Sequence, residues 1–296
     1  MVINETKRGK SVFYSAPDGL KLHTVDYGVR NDQTLPVICL AGLSRNARDF
    51  ARLAVHLAED AAPPRRVICF DYRGRGLSDH DSDWTHYNIL TEAEDVIAGL
   101  EKFGIEQATL IGTSRGGLIA MAIAAMRPGL LRAVILNDVG PVIGIESLLA
   151  IRTMLADPLE PKDWAEAIAI QKSLMGKAFP ALTEEDWIYE AHAKFRQIGD
   201  TLVADHDPAL GKTLDALVPG EELPALWPQF DALRDIPVMV LRGENSGLLS
   251  QETVDEMAAR HPRLQCVNVE GQGHAPLLHT AGLPQMIQRF LDQAGT

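Results

Sequence analysis

The stretch Leu110-Ile111-Gly112-Thr113-Ser114-Arg115-Gly116-Gly117 constrains this chain more than any other. An apolar run enters it and a second apolar run, residues 118–126, leaves it; between them lies Gly-x-Ser-x-Gly-Gly. The pattern fits a sharp strand-to-helix turn that lifts a serine hydroxyl clear of a sheet. Such a turn needs small neighbours, because a Cβ two residues before or after the serine would press on the opposite arm. Gly112 and Gly116 leave that room, and Gly117 lets the helix lie close to the strand. A helix starting behind Ser114 would also aim backbone N–H groups at an oxyanion forming beside it. The same letters can spell an ordinary helix-capping serine, so the surroundings must decide.

With 296 residues, 46% of them hydrophobic, the chain can bury a large core, as one domain or as one domain with an insertion. A formal net charge of −12 argues against nucleic acid or an anionic membrane as partner. No apolar run approaches the length of a membrane span, and the first residues lack the apolar stretch of a secretory signal, so a cytoplasmic location is expected. Cys39, Cys69 and Cys266 all fall in predicted buried strands, and an odd count without paired spacing predicts neither a disulfide framework nor a zinc site. The histidines outside position 274 show no metal-ligand spacing, and Gly74-Arg-Gly76 is too short for a dinucleotide fingerprint. The expectation is a small-molecule substrate, no cofactor and no metal, with monomer and homodimer equally compatible.

Residues 11–16 and 21–27 read as two strands joined at Pro17-Asp18-Gly19. Continuous apolar runs at 36–41, 67–70, 108–111 and 133–136 read as strands covered on both faces. Helical periodicity separates them, at 47–58, at 91–103 behind a Thr91-x-x-Glu94 capping box, and after Ser114. Alternating strands and helices imply a mostly parallel sheet with helices on both faces. The alternation stops near residue 142. Helical patterns follow at 146–155, 164–174 and 183–197, with Trp164, Trp187 and Trp227 in the same region as packing residues or as part of an apolar pocket. It resumes with a strand at 237–241, a helix at 251–260, a strand at 265–269 and a last helix at 283–292. The expected organisation is a core of residues 1–141 and 234–296, with 142–233 as a helical insertion.

Four motifs in this order make the chain resemble the α/β-hydrolase superfamily, in its cap-bearing branch of serine hydrolases acting on esters, lactones and C–C bonds. Leu40-Ala-Gly-Leu-Ser44 resembles the oxyanion loop after the third strand, with Ala41 where many members carry His. Asp71-Tyr-Arg-Gly-Arg-Gly-Leu-Ser78 resembles the turn after the fourth strand. Gly112–Gly116 resembles the nucleophile elbow, and Gly271-Gln-Gly-His274-Ala-Pro276 the loop carrying the catalytic histidine. The resemblance implies an eight-stranded α/β-hydrolase fold with a helical cap inserted after strand six. It also implies Ser114 as nucleophile, His274 as its general base and then acid, and the backbone N–H groups of Leu43 and Arg115 as oxyanion hole. Epoxide hydrolases and haloalkane dehalogenases of the same fold need a carboxylate at position 114, so the serine argues against them.

The triad acid departs from the family pattern. Relatives place an Asp in the loop after the strand at 237–241, and the matching position here is Gly247. Three readings stand open: Asp138 at the end of the neighbouring strand serves His274, Glu244 reaches back from the same loop, or the acid is missing. Arg115, directly after the nucleophile, either lines the pocket floor and favours a carboxylate-bearing substrate or pairs with an acid such as Asp138 or Asp71. The implied activity is hydrolysis of a small ester or lactone through an acyl-enzyme. The alternatives are a C–C bond hydrolase of ring-cleavage products and a ligand-binding protein on a weakened hydrolase scaffold.

Overall fold

The computed structural model describes residues 8–156 and 159–294. Its centre is an eight-stranded sheet. In chain order the first strands are β1 (Lys10–Ser15), β2 (Lys21–Tyr27), β3 (Val37–Leu40), β4 (Val67–Asp71), β5 (Ala108–Thr113) and β6 (Leu131–Asn137). A hairpin of β7 (Phe195–Ile198) and β8 (Thr201–Ala204) stands apart, and β9 (Val238–Gly243) and β10 (Leu264–Val269) return to the sheet. The spatial order is β1-β2-β4-β3-β5-β6-β9-β10. The pairs β1–β2 and β2–β4 are antiparallel and the rest are parallel.

The helices are α1 (Ala51–Val55), α2 (Ile89–Lys102), α3 (Arg115–Met126), α4 (Ile145–Ala156), α5 (Trp164–Met175), α6 (Glu184–Lys194), α7 (Trp227–Asp231), α8 (Gln251–Arg260) and α9 (Leu283–Ala294). A 3₁₀ turn opens α1 and a π-helical turn extends it. Successive side chains of one strand enter opposite cores, as a period of two demands. Ile38 and Leu40 join the core containing Leu110, Ile119 and Leu136. Val37 and Cys39 join the one containing Ile111, Ile135 and Leu241. Both faces of the central strands are covered, which is why their sequences read as unbroken apolar runs.

Three expectations need correction. Helix α2 starts earlier than the Thr91 capping box suggested, because the Asn88 side chain accepts from Thr91 N–H and caps it first. Between β6 and β9 the chain is not purely helical. The pattern read as one helix over 183–197 breaks at Lys194, and β7 and β8 close antiparallel around Gly199, whose φ of 59° suits a tight hairpin. Cys266 is exposed, since β10 is the last strand of the sheet and one of its faces meets solvent; Cys39 and Cys69 are buried.

The segment between β6 and β9 is tied to the rest by hydrogen bonds. Asn46 Nδ2 and Arg48 Nη2 each donate to the Ala193 carbonyl at 2.9 Å, and Tyr189 Oη donates to the Arg48 carbonyl at 2.6 Å. Arg48 Nη1 pairs with the buried carboxylate of Asp205 at 2.5 Å. These bonds hold α6 over the loop that follows β3.

Candidate active site

The Ser114 turn is as tight as its glycines require. Ser114 has φ 52° and ψ −115°, a strained conformation for a side chain with a Cβ. A Cβ on Gly116 would strike the Leu40 carbonyl, and one on Gly112 would strike the backbone of Gly116. The turn is therefore clamped between β3 and the start of α3. Ser114 N–H donates to the Asn137 carbonyl at 2.9 Å, which fixes the turn against β6.

His274 arrives from the loop after β10. Its Nε2 lies 2.9 Å from Ser114 Oγ and its Nδ1 lies 2.8 Å from Asp138 Oδ2. A carboxylate only accepts, so Nδ1 carries the proton, and Nε2 is free to accept from the serine hydroxyl. Asp138 follows β6 directly and is fully buried, with a φ of 57°. Its Oδ1 accepts from Gly243 N–H at 2.9 Å and its Oδ2 also accepts from Ser246 Oγ at 2.6 Å. Three donors thus hold one buried carboxylate in a fixed orientation toward His274.

Of the three readings of the acid, the structure brings Asp138 to the histidine. Glu244 does not reach it: Glu244 Oε2 accepts from Gly271 N–H at 2.8 Å and braces the histidine loop instead. Gly247 faces α4, where a Cβ would stand 3.1 Å from Ser147 Oγ.

Beside the serine, the loop after β3 runs close enough that a Cβ on Gly42 would lie 3.9 Å from Ser114 Cβ. Among the described residues neither Leu43 N–H nor Arg115 N–H has an acceptor, so both are free for an incoming oxygen. The side chain of Arg115 turns away from the cavity. Its Nε donates to Glu92 at 2.5 Å and its Nη2 donates to the Tyr87 carbonyl at 2.8 Å. The expected partners, Asp138 and Asp71, are otherwise engaged. Glu92 was hidden as a charge inside an amphipathic helix.

The other Glu92 oxygen accepts from Arg75 Nη1 at 2.7 Å, and Arg75 Nε donates to the Leu43 carbonyl at 2.8 Å. One buried carboxylate therefore links Arg115 directly, and Leu43 through Arg75. Burial opposes the Glu92 charge, but Arg115 and Arg75 outweigh it and hold the carboxyl below its ordinary range. Asp71 and Arg73 hold the turn after β4. Asp71 accepts from Ala47 N–H and Leu77 N–H, and Arg73 makes a two-pronged contact with Asp95.

A family model described as "Alpha/beta hydrolase family" matches residues 37–283. The chain belongs to this family. The hydrolase is 33% identical to the 3-hydroxybutyrate-oligomer hydrolase of Cupriavidus necator, over 86% of this chain and 88% of that one. It is 26% identical to the 2-(acetamidomethylene)succinate hydrolase of Mesorhizobium japonicum, over 79% of each. The crystal structure of an alpha/beta hydrolase from Novosphingobium aromaticivorans superposes with a TM-score of 0.89 at 35% identity, over 97% of this chain and 99% of that one. The hydrolase is thus an enzyme by descent as well as by fold.

In the hydrolase a cavity of about 170 Å³ opens over Ser114 and His274, with room for a small organic group. One wall comes from the loop after β3 and the other from the segment between β6 and β9, including Ile151, Met154, Phe179 and Trp187. Of the tryptophans in that segment, Trp187 lines the cavity. Trp164 stacks on His192, and Trp227 packs against Phe230 and Arg260. Among the described residues the one group of side chains with metal-ligand spacing is Asp18, Asp81 and His86. Arg73 Nη1 already donates to both of those aspartates, which supplies the cation the cluster needs. No helix among the described residues is long and apolar enough to cross a membrane.

Proposed function

We propose that this hydrolase cleaves a small carboxylic ester or lactone through an acyl-enzyme on Ser114. The observation that carries the reading is the unbroken contact chain from Ser114 Oγ through His274 to Asp138. In the first half-reaction His274 Nε2 takes the hydroxyl proton as Oγ attacks the carbonyl carbon. The oxyanion that forms is met by the N–H groups of Leu43 and Arg115, each such donor being worth roughly 3 kcal/mol in rate. The imidazolium then returns its proton to the leaving alcohol. In the second half a water gives its proton to Nε2 and attacks the acyl carbon; the bond to Oγ then breaks, Nε2 returns the proton to Oγ and the acid leaves. Asp138 holds the imidazole in the right tautomer and steadies its charge without taking the proton itself.

In this reading residues 142–233 act as a cap over a core of residues 1–141 and 234–296, and the cap wall selects the substrate. The first-named relative acts on 3-hydroxybutyrate oligomers, which supports an ester as the scissile bond. The case for a C–C bond hydrolase rested on Arg115 holding an acid group, and that guanidinium is bound to Glu92. The case for a binding protein rested on a lost acid, and Asp138 stands in contact with His274.

A fluorophosphonate probe tests the proposal. It should label the wild-type protein at Ser114 and leave Ser114→Ala unlabelled, and 4-nitrophenyl acetate hydrolysis should vanish in the same variant. Labelling at another residue, or ester turnover that survives Ser114→Ala, would refute it.

A further inference from the structure

We infer that Lys194 is a carboxylate receptor in the substrate cavity, so that the preferred ester carries a free carboxylate away from its scissile bond. The inference rests on the ester-hydrolase reading above and goes further by naming the substrate's charge.

Lys194 is the last residue of α6 and lines the same cavity as Ser114 and His274. Its backbone is held at the break between α6 and β7, where Asp205 N–H donates to the Lys194 carbonyl at 3.1 Å. The residue is only 8% exposed. Burying an ammonium group is costly unless a counter-charge meets it. Here the contacts of Nζ are long: Gln171 Oε1 at 3.4 Å, Met154 Sδ at 4.0 Å and the Phe195 ring centroid at 5.8 Å. No carboxylate among the described residues forms an ion pair with it. Arg45, the other cation of the cavity, is paired with carboxylates. It grips Asp49 with two nitrogens and donates to Glu190 Oε2 at 3.0 Å. The cavity wall that includes Lys194 is apolar at Ile151, Met154, Met175 and Trp187, and its charged members, Arg45, Asp49 and Glu190, are paired among themselves.

Burial pushes the Lys194 ammonium down to about 8, with repulsion from Arg45 adding to the effect and Glu190 opposing it. At neutral pH the group therefore still carries its proton and acts as a cation rather than as a base. A carboxylate entering the cavity would supply a direct counter-charge, which Glu190, held by Arg45, does not, and a short charge-assisted hydrogen bond in place of three long contacts. The overall charge of −12 repels anions at a distance, so a preference for an anionic substrate needs a local cation of this kind.

The experiment compares mono-(4-nitrophenyl) glutarate with 4-nitrophenyl valerate, which match in chain length and differ in the terminal carboxylate. The wild-type enzyme should favour the glutarate ester by about tenfold or more in kcat/KM. Lys194→Met should bring that ratio to one or below, and Lys194→Arg should restore part of it. In parallel, calorimetric titration of Ser114→Ala with both esters should show the glutarate ester binding more tightly, a margin lost in Ser114→Ala/Lys194→Met. A wild-type enzyme that turns over both esters equally well, or a ratio untouched by Lys194→Met, would overturn the inference while sparing the hydrolase reading. Tighter binding of the glutarate ester to Ser114→Ala, with no turnover of either ester by the wild type, would overturn the hydrolase reading and uphold the receptor.

Discussion

Replacing Lys194 with methionine should make the protein more stable at neutral pH. The substitution keeps the unbranched shape and places a thioether among Met154, Met175 and Ile151. The magnitude follows from proton linkage. The ordinary lysine value of 10.5 falls to about 8 in the folded protein, chiefly through burial. Each unit is about 1.4 kcal/mol, so the folded state carries a penalty of about 3 kcal/mol for holding this charge. The penalty is fully present below pH 8, where both folded and unfolded chains bind the proton. Between about pH 8 and 10.5 the unfolded chain binds it more strongly, so wild-type stability gains with rising pH and the penalty disappears. Lys194→Met removes it at every pH. Urea denaturation at pH 7 should show the variant more stable by up to about 3 kcal/mol, a figure that already sets the attraction of Glu190 against burial and Arg45. At pH 10 that margin should shrink, and titrations common to both proteins cancel in the difference. A variant no more stable than wild type at pH 7, or one whose margin persists unchanged to pH 10, would refute the idea that this ammonium is held without a carboxylate paired to it.

Asp138→Asn should lower kcat by about 10⁴-fold in a 4-nitrophenyl ester assay, because an amide can no longer fix the His274 tautomer. Gly247→Asp should leave kcat in the same assay within about twofold of wild type, since His274 Nδ1 already has its acceptor; a gain of tenfold or more would mean that Asp138 is a poor acid. Glu92→Gln should destabilise the protein by about 3–5 kcal/mol in urea denaturation, because it leaves Arg75 and Arg115 buried against a neutral partner.

What could be read from the chain and what could not divide along physical lines. Ser114 and its glycines announce themselves because the constraint is local: three small residues within six positions are needed for one turn. His274 is readable for the same reason, in a loop of Gly271, Gly273 and Pro276. The acid is not local. Whether Asp138 meets His274 depends on β6 and β9 being neighbours in the sheet, an arrangement set by packing rather than by spacing. Glu92 shows the opposite difficulty. It lies on a helix whose polar positions look like a solvated face, yet it is fully buried between two arginines that come from turns 17 residues before and 23 residues after it. The hairpin of β7 and β8 was masked by a capping box that correctly starts α6 and says nothing about where it stops. Lys194 sits at that unread boundary, so its place in the cavity wall came only with the structure.

With Asp138 at the end of β6 as the proposed acid, the turn after β9 has little chemistry to perform in that mechanism. Its Ser246 steadies Asp138 together with Gly243 at the end of β9, but its tip rests on the opening stretch of the segment between β6 and β9, where Gly144 N–H donates to the Leu248 carbonyl at 3.1 Å and Gly247 looks at Ser147. In the proposed mechanism a change in the length or residue type of that tip would leave the contacts from Ser114 through His274 to Asp138 in place. The tip is where directed evolution could retune which molecules are admitted, by shifting α4 and with it one side of the entrance, at small risk to turnover.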